Sequence, residues 1–161
     1  MPLLHFFETS FDRISERRMV LVEVSAGGLS GWGEVTAGEN PFYNEEWTES
    51  AWLLLRDFIA PRALQGLTAP IRGHLMAQGG LEVAVWDLEA RLAGKPLYQF
   101  IGGGARREIP CGVSIGIQDS VPQLLEKIET ELAAGYQRIK MKIKPGWDVE
   151  VVGQVRERDP P

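Results

Sequence analysis

Between Pro110 and Ile143 the chain reads strand, helix, strand, and that succession constrains the fold more than any other part of the sequence. Pro110 to Ile115 is a β-type run. Ser120 to Ala134 opens on Ser120-x-x-Gln123, a capping box, carries Leu124, Leu125, Ile128 and Leu132 on one face, and stops at Gly135. Arg138 to Ile143 is β-type again, and Asp148 to Arg158, with Val149, Val152 and Val155 at threefold spacing, reads as the next helix before Pro160-Pro161. Two strands joined through a helix run parallel by a right-handed crossover. A parallel sheet is stable almost only with several strands and both faces covered, so this stretch reads as the opening of a larger α/β domain.

The preceding sequence has another rhythm. Met19 to Val24 and Gly31 to Val35 are β-type runs separated by Ser25-Ala26-Gly27-Gly28-Leu29-Ser30, the pattern of a hairpin. A helix is expected from Asn44, with Glu45 and Glu46 in its first turn and Trp47, Ala51, Leu54, Leu55 and Phe58 on its apolar face, until Pro61 stops it. A second is expected over Met76 to Ala93, with Leu81, Val85, Leu88 and Leu92 at helical spacing, Gly94 as its cap and Pro96 beyond. Gly79 and Gly80 inside it cost roughly 1 kcal/mol each relative to alanine, so either a backbone packs closely there or the helix starts later. Gly102-Gly103-Gly104-Ala105-Arg106-Arg107 marks the change of composition, which divides the chain into residues 1–105 and 106–161.

Composition removes several classes of function. An apolar share of 44% with 24% charged residues belongs to a globular chain, and a net charge of −5, from 17 Lys and Arg against 22 Asp and Glu, argues against a nucleic-acid partner. One cysteine, Cys111, excludes an internal disulfide framework and a cysteine-based zinc site. Met1 to Glu8 lacks the basic start of a signal peptide, and no run approaches the roughly 20 apolar residues of a membrane span, so the expectation is a cytoplasmic protein without a membrane partner.

The chemistry-bearing pattern is Arg138-Ile139-Lys140-Met141-Lys142-Ile143. In a strand Lys140 and Lys142 project to one face, with Ile139, Met141 and Ile143 on the other. Two ammonium groups that close depress each other's proton affinity, which suits proton transfer near neutral pH. On pattern alone, lysines guarding a sheet edge are the commoner use. The parallel context favours the other reading, because polar residues at the carboxyl ends of barrel strands are usually catalytic. Gly102 to Gly104 lacks the strand and the GK[ST] or GxGxxG context of a phosphate loop and reads as a junction. His5 and His74 are isolated, so neither is read as a metal ligand. Glu34, Phe42, Tyr43 and Trp47 read as core packing around a helix start rather than as a pocket.

Several blocks together carry a resemblance: Gly31-Trp32-Gly33-Glu34; Glu82, Ala84 and Trp86-Asp87-Leu88-Glu89-Ala90-Arg91; Gly94-Lys95-Pro96-Leu97; Gly102-Gly103; and above all Gly112-Val113-Ser114-Ile115-Gly116 followed by Lys140-Met141-Lys142. The chain resembles the enolase superfamily, and within it the muconate-lactonizing subgroup, specifically the o-succinylbenzoate synthases that also act as N-acylamino acid racemases. The resemblance implies an α+β capping domain over residues 1–105, followed over 106–161 by the first βαβ of an incomplete (β/α) TIM-type barrel. It implies abstraction of a proton α to a carboxylate, with Lys142 as acid/base and Lys140 as its electrostatic partner. Cap loops over Phe7 to Arg18 and Glu39 to Asn44 would close on a small carboxylate substrate, bringing Phe11 and Tyr43 to it, and Ser114 and Ile117 would touch it from the first barrel strand.

The family's divalent metal, usually magnesium, takes three carboxylates at the ends of the third to fifth barrel strands, and a second lysine stands on the sixth. The expectation is that these positions lie beyond this chain; Asp119, Asp148 and Asp159 are not substitutes. The chain is therefore expected to be a truncated product or a partial sequence, inactive alone, of an enzyme forming o-succinylbenzoate for menaquinone synthesis or racemising N-acylamino acids, and a homo-oligomer at full length. A non-catalytic structural fragment, a dipeptide epimerase and a muconate cycloisomerase are the alternatives.

Overall fold

The computed structural model describes residues 1–104, 106 and 108–158; Ala105 and Arg107 of the junction and the closing Asp159-Pro160-Pro161 lie outside the described residues. Six strands run in chain order: β1 (Pro2–Glu8), β2 (Arg13–Glu16), β3 (Val20–Ala26), β4 (Leu29–Val35), β5 (Gly112–Ile115) and β6 (Arg138–Met141). The helices are α1 (Thr48–Leu54), α2 (Ala60–Ala63), α3 (Leu75–Leu92), α4 (Leu97–Phe100), α5 (Val121–Ala133) and α6 (Val149–Arg158), with a π-helical stretch, Leu55–Ile59, joining α1 to α2. The chain forms two compact units, Arg18–Ala105 and a second made of Met1–Arg17 with Arg106–Pro161. Residues 1–17 pack with the unit that begins at Arg106 rather than with Arg18–Ala105. The physical reason is local: the end of β1 bonds to the loop after β5, Ile117 N–H donating to Glu8 O at 2.9 Å.

In the unit Arg18–Ala105, β3 and β4 pair antiparallel from Val20↔Val35 to Ala26↔Leu29. Gly27 and Gly28, with φ of 59° and 76°, form the two-residue turn, so pairing extends further than the sequence reading placed it. Helix α3 lies on this hairpin through small residues. A Cβ on Gly33 would stand 1.9 Å from Gly80 O and one on Gly31 2.2 Å from Ala84 O, which accounts for Gly80 within a helix by close backbone approach. The buried face of α3 accordingly runs through Ala77, Gly80, Ala84 and Leu88, with Leu81 partly buried against the core and Leu92 exposed.

Two expectations for the first helix are corrected. It begins at Thr48, not Asn44, because the turns before it are tied by Asn44 Oδ1 accepting from Glu46 N–H and by Ser50 Oγ accepting from Trp47 N–H. Phe42 and Tyr43 are therefore 84% and 83% exposed instead of packed at a helix start. Pro61 does not end the helix either. The π-helical turn resets the hydrogen bonding, Pro61 falls in the first turn of α2, where its missing N–H costs nothing, and Ile59 enters the core with Ala51 and Leu55 while Phe58 is exposed.

In the other unit β5 and β6 pair parallel, Gly112↔Arg138 through Ile115↔Met141, with α5 between them in sequence. Ser120 caps α5, accepting from Gln123 N–H at 3.4 Å. Ile115, Leu124, Ile128 and Val151 form the core, with Ile139, Met141 and Trp147 against it. Ile143, expected to face that core, is 48% exposed, since β6 ends at Met141 and Lys144-Pro145-Gly146-Trp147 turns the chain: Trp147 N–H donates to Lys144 O at 2.8 Å and Gly146 has φ of 78°. Residues 2–16, read as a terminal segment and a loop, form the antiparallel hairpin β1–β2. Thr9 Oγ1 closes it, accepting from the N–H groups of Phe11 and Asp12.

Candidate functional site

The candidate site starts from the non-core face at the carboxyl ends of β5 and β6. Ile139 and Met141 point to the core, so the alternation places Lys140 on the opposite face, in register with Ser114 of β5; both are exposed. Lys142 stands one residue past β6, but its N–H still donates to Ile115 O at 2.9 Å, so its backbone continues the ladder. Lys142 is half-buried and its Nζ lies 6.0 Å from the centroid of the Phe7 ring, at the outer range of a cation–π contact.

Glu8 joins this place without having been singled out in the sequence. Its Oε1 accepts from Lys144 Nζ at 2.5 Å, its Oε2 is 3.7 Å from Arg13 Nε, and Arg13 in turn is 3.4 Å from Asp119 Oδ1. The Lys144 hydrogen bond is the main reason that the Glu8 carboxyl is held below the ordinary carboxylate range; the charges of Lys144 and Arg13 add to it and partial burial opposes it. Gly116 permits the approach, since a Cβ there would stand 2.9 Å from Glu8 N. Lys144 was visible as the next alternate lysine after Lys142. Its partner lies 136 positions away, a separation no local pattern spans.

The remaining expected residues divide. Ile117 is 2% exposed, its side chain lying in the interior of this chain. Phe11 is exposed at the β1–β2 turn and Tyr43 is exposed in the other unit. An open groove of about 1310 Å³ runs beside β1, β5 and α5, with Ser114, Gly116, Asp119 and Glu126 in its lining. Lys140 and Lys142 do not line it. Among the described residues no group of three His, Cys, Asp or Glu is arranged to hold a metal ion, so these residues alone do not fit the divalent metal of the family. Among them, too, no helix is long and apolar enough to cross a membrane.

The Trp86 to Arg91 element has a structural use. Asp87 Oδ2 accepts from Trp32 N–H of β4 and from Arg91 Nε, both at 3.0 Å, and these bonds hold its carboxyl below the ordinary range, the Trp32 bond foremost.

Known proteins bear the same combination. Residues 2–102 match the family described as mandelate racemase / muconate lactonizing enzyme, N-terminal domain. An o-succinylbenzoate synthase of Geobacillus stearothermophilus is 46% identical over 97% of this chain and 44% of its own length. An N-succinylamino acid racemase of Thermus thermophilus is 44% identical over 99% of this chain and 46% of its own. A solved structure of an enolase-superfamily member from Listeria innocua superposes with a TM-score of 0.82 at 32% identity, over 99% of this chain and 46% of that one. The chain thus spans less than half the length of the curated relatives it matches. By the match over residues 2–102 the chain belongs to the mandelate racemase / muconate lactonizing enzyme family of the enolase superfamily, and over nearly its whole length it is similar to the amino-terminal portion of o-succinylbenzoate synthases and N-succinylamino acid racemases.

Proposed function

We propose that this chain supplies the cap and the first catalytic lysines of an enzyme that moves a proton α to a carboxylate, as an o-succinylbenzoate synthase or an N-acylamino acid racemase. The observation that carries the reading is the lysine row at the carboxyl end of a parallel strand: Lys140 in register with Ser114, Lys142 held by Ile115 O, and the apolar residues between them turned to the core. Lys142 Nζ takes the α proton from one face; in dehydration that proton leaves with the departing hydroxide as water, and in racemisation the opposing lysine delivers a proton to the other face, while Lys140 offsets the substrate's carboxylate charge and Ser114 offers a hydroxyl beside them. Residues 106–161 are the first βαβ of a (β/α) barrel in this reading, and the metal ligands and opposing lysine belong to the portion that the longer relatives possess. Phe11 and Tyr43, both exposed, are proposed to meet the substrate when that portion is present. The family's enzymatic character and its carboxylate substrates support the assignment.

The test is deuterium exchange at the α carbon of N-succinyl amino acids in deuterium oxide with magnesium, using this chain mixed with the carboxyl-terminal part of the Geobacillus relative. Exchange is expected in the mixture and not with the chain alone, and Lys142→Ala is expected to lower it roughly 10³-fold. Undiminished exchange in the variant mixture overturns the reading. A mixture that assembles yet never exchanges favours the purely structural role instead.

A further inference from the structure

Two consecutive residues at the end of β1 each receive a lysine from the segment leaving β6. The Phe7 ring takes Lys142, and Glu8 takes Lys144. Glu8 is not a loose surface carboxylate: its side chain is 15% exposed, its carbonyl accepts from Ile117 N–H, and its main chain lies against Gly116. Lys144 is equally constrained, because its N–H and C=O are both bonded to Trp147 across the turn. Only one residue separates this fixed point from Lys142. An uncompensated charge on Lys144 would act on Lys142 in the same sense as Lys140 does.

We propose that Glu8 is a positioning residue for the lysine row: it holds Lys144 Nζ, cancels that charge, fixes the backbone just past Lys142, and leaves Lys140 as the cation of the row that tunes Lys142. The inference rests on the reading of Lys142 as the proton carrier. Among the described residues, the charged groups near this segment are Lys140 and Lys144 on either side of Lys142 in sequence, and Glu8, Arg13 and Asp119, which are linked to Lys144 through the Glu8–Lys144, Glu8–Arg13 and Arg13–Asp119 pairs. An ion pair serving stability alone would change the unfolding temperature and leave the titration of Lys142 where it was.

The test is a pH titration of the lysine Cε resonances in the ¹³C-lysine-labelled chain, which has five lysines, with Lys142 assigned by Lys142→Arg. Glu8→Gln leaves Lys144 uncompensated and is expected to lower the Lys142 midpoint by roughly 0.4 pH unit, the order of one added unit charge acting through a water-like dielectric. Lys144→Met leaves Glu8 uncompensated and is expected to raise it by a similar amount, and the double variant to restore it. Single variants that leave the midpoint unmoved or shift it in one common direction overturn the proposal, as does a double variant that does not return. The Lys144→Met titration decides the matter even where Glu8→Gln does not fold. Because the titration needs no turnover, its failure is distinct from a failure of deuterium exchange.

Discussion

Gly33 and Gly79 show how differently one residue type is used against the same helix. A Cβ on Gly33 would collide with backbone at Gly80, whereas one on Gly79 meets nothing within 4 Å. Gly33→Ala is therefore expected to cost about 3 kcal/mol by forcing β4 off α3, and Gly79→Ala to stabilise by roughly 0.5–1 kcal/mol through helix propensity, both measured by urea unfolding. Asp87 makes the same point for charge. Its carboxyl is depressed by the Trp32 N–H and by Arg91, so its contribution to stability is complete above the ordinary carboxylate pKa of about 4 and is lost as pH falls through its lower folded value. Asp87→Asn should unfold at lower temperature than the native chain at pH 7, and the two should converge towards pH 2 to 3. The Trp-Asp and Arg of this element were legible as a pattern; the acceptor role of Asp87 was not, because its donor lies 55 positions earlier on a strand.

At the scale of elements, the four long helical stretches were legible in approximate place, whereas the short α2 and α4 were not, and the helix ends were decided elsewhere. Helix α3 begins after His74, a left-handed residue with φ of 51° that gives no side-chain cap. Its first N–H groups are satisfied from another element: buried Glu46 accepts from Met76 N–H at 2.8 Å and from Ala77 N–H at 3.0 Å. Read along the sequence, Glu46 was a first-turn acid of its own helix. Here it caps a neighbour, a charge-assisted arrangement favoured at a helix amino terminus. Glu46→Ala is expected to cost about 2–3 kcal/mol and Glu46→Gln less, since an amide oxygen retains an acceptor; thermal and urea unfolding check the order. The π-helical stretch is a second case. Apolar spacing pointed to Phe58 and the fold chose Ile59, because one extra residue in a turn rotates everything after it.

For the whole molecule, the sequence by itself determined the class: a hairpin with a glycine turn, a small-faced helix, and a strand–helix–strand with lysines alternating against apolar residues. These are local properties, set by side-chain period, turn chemistry and helix caps, so they survive reading in one dimension. The blocks that carried the family likeness are of the same kind, and those within residues 2–102 fall inside the family match. Tertiary structure alone decided that residues 1–17 pack with the βαβ, that Ile117 is interior, and that Glu8 answers Lys144. Each of those depends on which distant backbone comes within hydrogen-bond or van der Waals reach, a matter of three-dimensional closure that no spacing along the chain encodes.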